Sequence, residues 1–557
     1  MERVRRSLLN EIRKEVNMPF PWKSCRDWLA DEERIGQVVR FAIPLKAGDP
    51  NSIVDPIPAD LKDEQMRVIN CPGANGKMME SELRAAVRYL HSLPGSPIGI
   101  VEHPINNRPD IPVIINAWAT RERVLRMCGV SDKEELCQKL KRLRTNLIPP
   151  VKVDKKNAPC KEVIIPEGEI DLYQQAPRNW VEFETVPWSP CGGGQFIIFD
   201  AETRTHDLGI WRAGFFEWDD GDPSKPFPED WRKRHMCVAM IYEGPIATDG
   251  GAYFRDRYRR FGKPMPAAYA MCNEPALPAA AAVRSGLVWP RDGVDEYAVA
   301  GGLNEQAIEV VESETIPGLM VPANAEFVIE GEFLPQNYLV PKFAEGVYQG
   351  HLLGHHEMPI FRIKCITHRK NPMWMTSWSS SGLDHLGPHT AFADLFFEAE
   401  ALIYLRENNY NVKDIVSYDL ETIVVQSAVD GMQKPPHYGK QLLNAVYACP
   451  HGYLGNGSKY YIAVGPDIDP YDVRDVLWAL GTRAQPVMDS IVIQDGLCAW
   501  GDPSGLPGPL GWRAYGQQMF IDALIKVPER RTYWEPRTDP RSWEIKAVEH
   551  MRDKMGG

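Results

Sequence analysis

The chain has 557 residues, 44% of them hydrophobic and 25% charged. That balance is globular, and the length exceeds the roughly 250–300 residues at which a single core stops growing. The net charge of −12 argues against a nucleic-acid backbone as partner, and Gly 44 with Pro 47 is too little for a disordered or fibrous chain.

The N-terminus, Met1-Glu2-Arg3-Val4-Arg5-Arg6, runs into a charged stretch holding Glu11 and Glu15 and lacks the apolar stretch of a signal peptide. Ser24 is placed to cap a helix starting Cys25-Arg26-Asp27-Trp28-Leu29, and residues 38–45 read as a strand. Apolar runs at 98–101 and 111–115 precede helical patterns over 120–128 and 131–143. This alternation predicts an N-terminal α/β domain over 1–157. Residues 145–160, rich in Pro and Lys, mark its boundary. From 158 to 365, short β-type runs (195–199, 238–242, 326–329) between Gly, Pro and Asp predict a β-rich, barrel-like domain. From 366 to 535, helices at 391–405, 440–449 and 472–480 alternate with strands at 423–426, 460–464 and 490–494, a second α/β domain. Residues 536–557 read as a polar helical tail suited to packing on a neighbouring subunit. No run of 18 apolar residues occurs, so no membrane span is expected. The 11 cysteines include no C-x-x-C pair, which fits a reducing, cytoplasmic setting.

The general nucleotide and hydrolase motifs are absent: no G-x-x-x-x-G-K-[ST], no H-E-x-x-H and no G-x-S-x-G. Gly192-Gly193-Gly194 suits a phosphate cradle or simply a tight turn. His351, His355, His356 and Glu357 put three imidazoles and a carboxylate into seven residues, a group able to bind metal or move protons. Asp207 and Arg212 stand five apart and would face opposite sides of a continuous strand. Carboxylate oxygens from Asp207 and Glu296 suit a hard divalent cation bridging a phosphate. Arg255, Arg257, Arg259, Arg260 and Lys263 form a basic run in an acidic protein, either a solvated face or a clamp for substrate phosphates. The 16 tryptophans have two readings, large cores or a pocket for a flat ligand.

A colinear series of motifs makes the chain similar to the UbiD-like decarboxylase family from about residue 24 to 490. They are Ser24-Cys-Arg-Asp-Trp-Leu29, Ala158-Pro-Cys-Lys161, Asp207-Leu-Gly-Ile-Trp-Arg212 and Asp295-Glu-Tyr-Ala-Val-Ala-Gly301. Val321-Pro-Ala-Asn-Ala-Glu-Phe-Val-Ile-Glu-Gly331, Ala344-Glu-Gly346 and Asp472-Val-Arg-Asp-Val-Leu-Trp-Ala-Leu-Gly-Thr-Arg483 complete the series. The resemblance implies an N-terminal α/β domain, a central split β-barrel that binds flavin, and a C-terminal α/β domain. It implies reversible, non-oxidative decarboxylation of an aromatic acid with prenylated FMN, supplied by a separate flavin prenyltransferase. A divalent metal (Mn²⁺ or Fe²⁺) with K⁺ nearby would hold the cofactor phosphate, and the protein would be a homo-oligomer, dimer or hexamer.

Residue by residue, the resemblance carries a metal ligand onto Asp207, a second onto Glu296, the flavin-side arginine onto Arg212 and an active-site acid onto Glu345. Ile210 and Trp211 fall beside the flavin. Asp207 stands where the family has Asn, and Thr248 stands near the place of its metal-binding His. The family's second acid has no counterpart after Glu345-Gly346, which leaves His351, His355 or His356 to take the proton-donor role. Two substrate readings stay open, a free aromatic acid or an aromatic acyl-CoA thioester of the phthaloyl-CoA type held by Arg255–Lys263. An FMN oxidoreductase and a catalytically silent cofactor-binding subunit are the alternatives from other classes.

Overall fold

The computed structural model describes residues 20–54, 78–179, 188–191, 193–216, 224–240, 242, 249–283, 293–339, 357–376, 388–418, 421–429, 431, 434–435, 437–449, 458–497, 506–507, 513–525 and 551. Three of the early helices start on side-chain caps. Ser24 accepts from the Asp27 N–H, Thr120 from Arg123 and Asp132 from Glu135, opening Cys25–Arg34, Arg121–Met127 and Lys133–Leu143. The strand expected over 38–45 ends at Phe41. Pro44, which has no N–H to donate, precedes a separate short strand, Leu45–Lys46, paired with Pro104–Ile105.

The first sheet has four strands, in the order Val38–Phe41, Ile98–Val101, Val113–Ile115 and Trp374–Met375. Its last strand arrives from beyond the β-rich region and pairs parallel to Val113–Ile115.

The central sheet has nine strands. Its main path runs from Trp188–Cys191 through Arg212–Phe216, His235–Ala239, Glu357–His368, Phe327–Leu339, Met265–Met271 and Gly194–Asp200 to Thr205–Gly209. Thr205–Gly209 and Arg212–Phe216 lie toward opposite ends of that path, yet only Ile210 and Trp211 separate them. Three peptide steps reach at most about 11 Å, so the sheet must curl until its two ends adjoin without pairing. This is the split barrel. Its interior is solid: the Phe196 ring centroid lies 4.8 Å from Tyr269, 5.3 Å from Phe333, 5.5 Å from Phe361 and 5.6 Å from Trp211. The described aromatic residues of the barrel are therefore packed core rather than the walls of a flat pocket.

Residues 145–160 are not a free linker. Val151–Lys152 pairs with Glu309–Glu312, Ile148 N–H donates to Ala298 O, and Cys160 N–H donates to Ala323 O. Backbone donors in this Pro-rich stretch find partners on the barrel side, which satisfies them without water. Glu357–His368 runs on past residue 365, because Cys365 to His368 still pair with Val163–Pro166.

The third sheet runs in the order Val412–Tyr418, Thr422–Ser427, Tyr460–Val464, Arg513–Ala523 and Ser490–Leu497. The helices Pro388–Glu407, Tyr438–Tyr447 and Val473–Arg483 accompany it. Glu398, with a fully buried side chain, joins it to the N-terminal helices by accepting from Arg121, from Lys133 Nζ at 2.9 Å and from the Ser417 N–H at 2.6 Å. No described helix is long and apolar enough to cross a membrane. The tail helix expected over 543–554 lies outside the described residues except for residue 551.

Candidate active site

Thr205–Gly209 is an edge strand, so one row of its backbone N–H groups needs partners other than a strand. Two consecutive carboxylates at the start of the helix Glu296–Asn304 supply them. Asp295 Oδ2 accepts from the His206 N–H at 3.1 Å, and Glu296 Oε2 accepts from the Leu208 N–H at 2.5 Å. Asp295 also caps that helix, its Oδ1 accepting from Tyr297 N–H at 2.9 Å, and a carboxylate there is favoured by the helix dipole.

The buried His206 ring locks the arrangement. Its Nδ1 pairs with Asp295 Oδ2 at 2.7 Å, and its Nε2 lies 3.1 Å from the Met320 N–H. Nε2 must accept that proton, so the ring is the Nδ1–H tautomer. Tyr297 completes the frame, donating its hydroxyl to Met320 O at 3.0 Å.

Asp207 lies between the two clamped residues and, by strand alternation, points to the opposite face from His206 and Leu208. It pairs in register with Ile198. A Cβ added at Gly250 would lie 2.5 Å from Asp207 Oδ2, 2.7 Å from the Trp211 ring and 2.9 Å from Ile198. Gly250 is thus the residue that lets the helical segment beginning at Asp249 come down onto Asp207 and Trp211. Trp211 is 5% exposed and packs on Phe196, so it belongs to the core of the barrel end. Ile210 beside it is half-buried.

Asp207 and Arg212 do not share a strand. The turn at Ile210–Trp211 carries Arg212 onto the strand Arg212–Phe216, so the alternation expected for one continuous strand does not relate them. Glu296 holds the backbone N–H of Leu208, the residue after Asp207, and both side chains carry hard oxygen donors of the kind a divalent cation takes. Among the described residues, no group of three His, Cys, Asp or Glu side chains forms a metal site. Thr248, Glu345, His351, His355 and His356 lie outside the described residues, and Arg212 is described by its backbone.

Most of the basic run is occupied. Arg255 forks onto Asp256 at 2.7–2.8 Å, Arg257 pairs with Glu202 at 2.7 Å, and Arg259 lies 4.9 Å over the Tyr242 ring. Arg260 and Lys263 are exposed. This is a solvated face with internal ion pairs. In the triglycine, Gly193 has φ +84°, and a Cβ there would meet Met375 at 2.6 Å. Close packing explains that glycine without a phosphate.

Several motif residues are structural ties. Lys161 Nζ reaches Glu330 Oε1 at 2.9 Å in a buried pair, and Arg26 forks onto the buried Glu326 at 2.7 and 2.8 Å. Sequence reasoning missed His206, Gly250 and Glu274. His206 sits one residue from Asp207, and an N-cap Asp just ahead of the Glu296 helix was the available signal for its partner. Glu274 is 2% exposed, and burial pushes its carboxyl up to about 8.

Comparisons with known proteins agree along the whole chain. Residues 151–381 match the 3-octaprenyl-4-hydroxybenzoate carboxy-lyase Rift-related domain, and residues 392–523 match the C-terminal domain of the same family. An uncharacterized protein of Aquifex aeolicus is 24% identical over 553 residues, covering 97% of this chain and 100% of that one. The closed form of the vanillic acid decarboxylase of Sedimentibacter hydroxybenzoicus superposes with a TM-score of 0.72 at 20% identity, over 97% of this chain and 100% of that one. The evolved dimeric form of the UbiD-class enzyme HmfF from Pelotomaculum thermopropionicum, in complex with prFMN, gives 0.67 at 21% identity over 94% and 100%. The two family matches, laid end to end over the barrel and the C-terminal sheet, make this chain a member of the UbiD family.

Proposed function

We propose that this protein is a prenylated-FMN-dependent decarboxylase of an aromatic carboxylic acid. The observation that supports this reading is the Glu296 carboxylate bound to the backbone beside Asp207, at the edge strand of a UbiD-family barrel. Two carboxylates with hard oxygen donors would suit Mn²⁺ or Fe²⁺, with K⁺ as a further ion and Thr248 as the third candidate ligand, to hold the cofactor's phosphate. When bound, prenylated FMN supplies the electron sink for the carbanion left as CO₂ departs.

The chain's own residues bind, orient and protonate. Asp207 and Glu296 would hold the metal, and the His206–Asp295 clamp holds the strand that carries Asp207. Arg212 pairs with the substrate carboxylate, a geometry guanidinium serves well. Glu345 would pair with Arg212 and relay a proton, and His351, His355 or His356 would deliver it to the ring carbon.

A free acid is favoured over a CoA thioester as substrate. Arg255, Arg257 and Arg259 already have partners within the protein and are poorly placed to clamp CoA phosphates. The deciding experiment is CO₂ release from a panel of aromatic acids and their CoA thioesters, using protein co-produced with a flavin prenyltransferase. Substrate-dependent release that disappears in Arg212→Ala supports the reading. Full activity in Arg212→Ala removes that residue from the mechanism, and NAD(P)H oxidation without CO₂ release replaces the reading with an FMN oxidoreductase.

A further inference from the structure

A second polar site lies where the helix Cys25–Arg34 docks on the barrel. A cavity of about 10 Å³ there is lined by Trp28, Trp118, Gly193, Gln195, Asn273 and Met375, among others. Phe196 packs into the barrel, so its neighbour Gln195 faces outward toward this seam.

Three of the lining residues hold buried polar atoms without a hydrogen-bond partner among the described residues: Trp28 Nε1, Gln195 Nε2 and Asn273 Oδ1. Their residues are 1%, 1% and 6% exposed. The amide orientations are fixed, because Asn273 Nδ2 donates to Gln195 Oε1 at 2.6 Å and to Ala270 O at 3.0 Å. What remains is two N–H donors and one carbonyl acceptor. Buried polar groups are very rarely left unsatisfied, and removal from water is costly for each.

We infer that this cavity is a binding site for one water molecule, which accepts from Trp28 Nε1–H and Gln195 Nε2–H and donates to Asn273 Oδ1. The volume is about one water sphere, and three hydrogen bonds is the usual number for a buried water. The donor set excludes other small occupants. A cation would meet two N–H groups, and a halide would meet the Asn273 carbonyl oxygen. The water would pin three chain segments at one point: the N-terminal helix through Trp28, the strand Gly194–Asp200 through Gln195, and the turn after Met265–Met271 through Asn273. It gives the motif Ser24–Leu29 a polar reason for its tryptophan, beside the apolar one.

A high-resolution crystal structure of the full chain, grown from chloride and measured with anomalous data, tests this. The expected result is one non-anomalous peak at about 2.7–3.2 Å from all three atoms. An anomalous chloride peak overturns the proposal, as does absence of a peak with the three groups paired to one another. In solution, Trp28→Phe and Asn273→Leu should lower the urea midpoint by less in combination than the two single shifts added together, since each removes a bond to the same molecule. Strictly additive shifts would overturn the shared water.

Discussion

Two carboxylate sites in this protein use the same residue type to opposite ends. At the seam between the N-terminal helices and the C-terminal sheet, Glu398 is balanced by cations, Arg121 and Lys133, with the Ser417 N–H in addition. At the barrel edge, Asp295 and Glu296 accept from backbone N–H groups, and Asp295 also accepts from His206. Cationic partners cancel a carboxylate's charge. Backbone N–H groups instead fix where a carboxylate sits relative to the strand, here the one that carries Asp207. The difference teaches that a carboxylate's partners say more about its task than its burial does.

The largest test of this contrast is at the edge. Asp207→Ala or Glu296→Gln should lower both retained divalent metal, read by elemental analysis, and CO₂ release by at least about 100-fold, while thermal unfolding changes little for Asp207→Ala. Equal metal content in wild type and variant would remove the edge site from metal binding.

At the seam the effect should appear in stability instead. Glu398→Ala takes the shared partner from the half-buried Arg121 and Lys133, the latter keeping Asp414, and urea unfolding should show a loss of about 1–3 kcal/mol.

Glu274 is a third case, a buried carboxyl with Oε2 unpartnered, balanced by its own proton. Burial raises its folded pKa from 4.5 to about 8. Above the unfolded pKa the folded state therefore holds a proton that the unfolded state has lost. Its contribution to stability is full below about pH 4.5 and is lost as pH rises toward 8. Glu274→Gln removes this dependence, so its stability relative to wild type should improve by about 3 kcal/mol between pH 5 and 8. Parallel pH profiles would show that Glu274 is ionised in the fold.

Gly250→Ala forces a methyl against Asp207 and Trp211, with an expected cost of about 1–3 kcal/mol and weaker metal retention. The smallest effect belongs to the solvated limit. Arg257→Gln breaks an exposed pair with Glu202 and should cost at most about 0.5 kcal/mol. Replacing Arg257, Arg260 and Lys263 together with Gln should leave turnover of a free acid unchanged, and a selective loss on a thioester would restore the CoA reading.

Elements with strong local signals were legible in the sequence. Ser24 announced a helix start, the patterns over 120–128 and 131–143 became helices, and the apolar run Tyr460–Val464 became a strand. Asp207 and Glu296 stood in recognisable motifs. That Glu296 lands on the backbone beside Asp207 was not legible, because it depends on which side of an edge strand a helix N-terminus falls, a tertiary fact. The anchoring of the boundary stretch 145–160 was not legible for the same reason. Proline and lysine describe the local backbone, whereas its hydrogen bonds go to residues more than a hundred positions away. The opposite-face argument for Asp207 and Arg212 failed on one turn that no periodicity marks.

The Ile210–Trp211 link carries one more consequence, for assembly. The strands on either side of it both find local sheet partners: Thr205–Gly209 pairs with Gly194–Asp200, and Arg212–Phe216 pairs with Trp188–Cys191 and His235–Ala239. Long-range pairing enters one strand further out, where His235–Ala239 meets Glu357–His368. Contacts of such sequence separation form slowly. The two halves of the site can thus be laid down as neighbouring local pairings, joined by two residues, before the sheet curls.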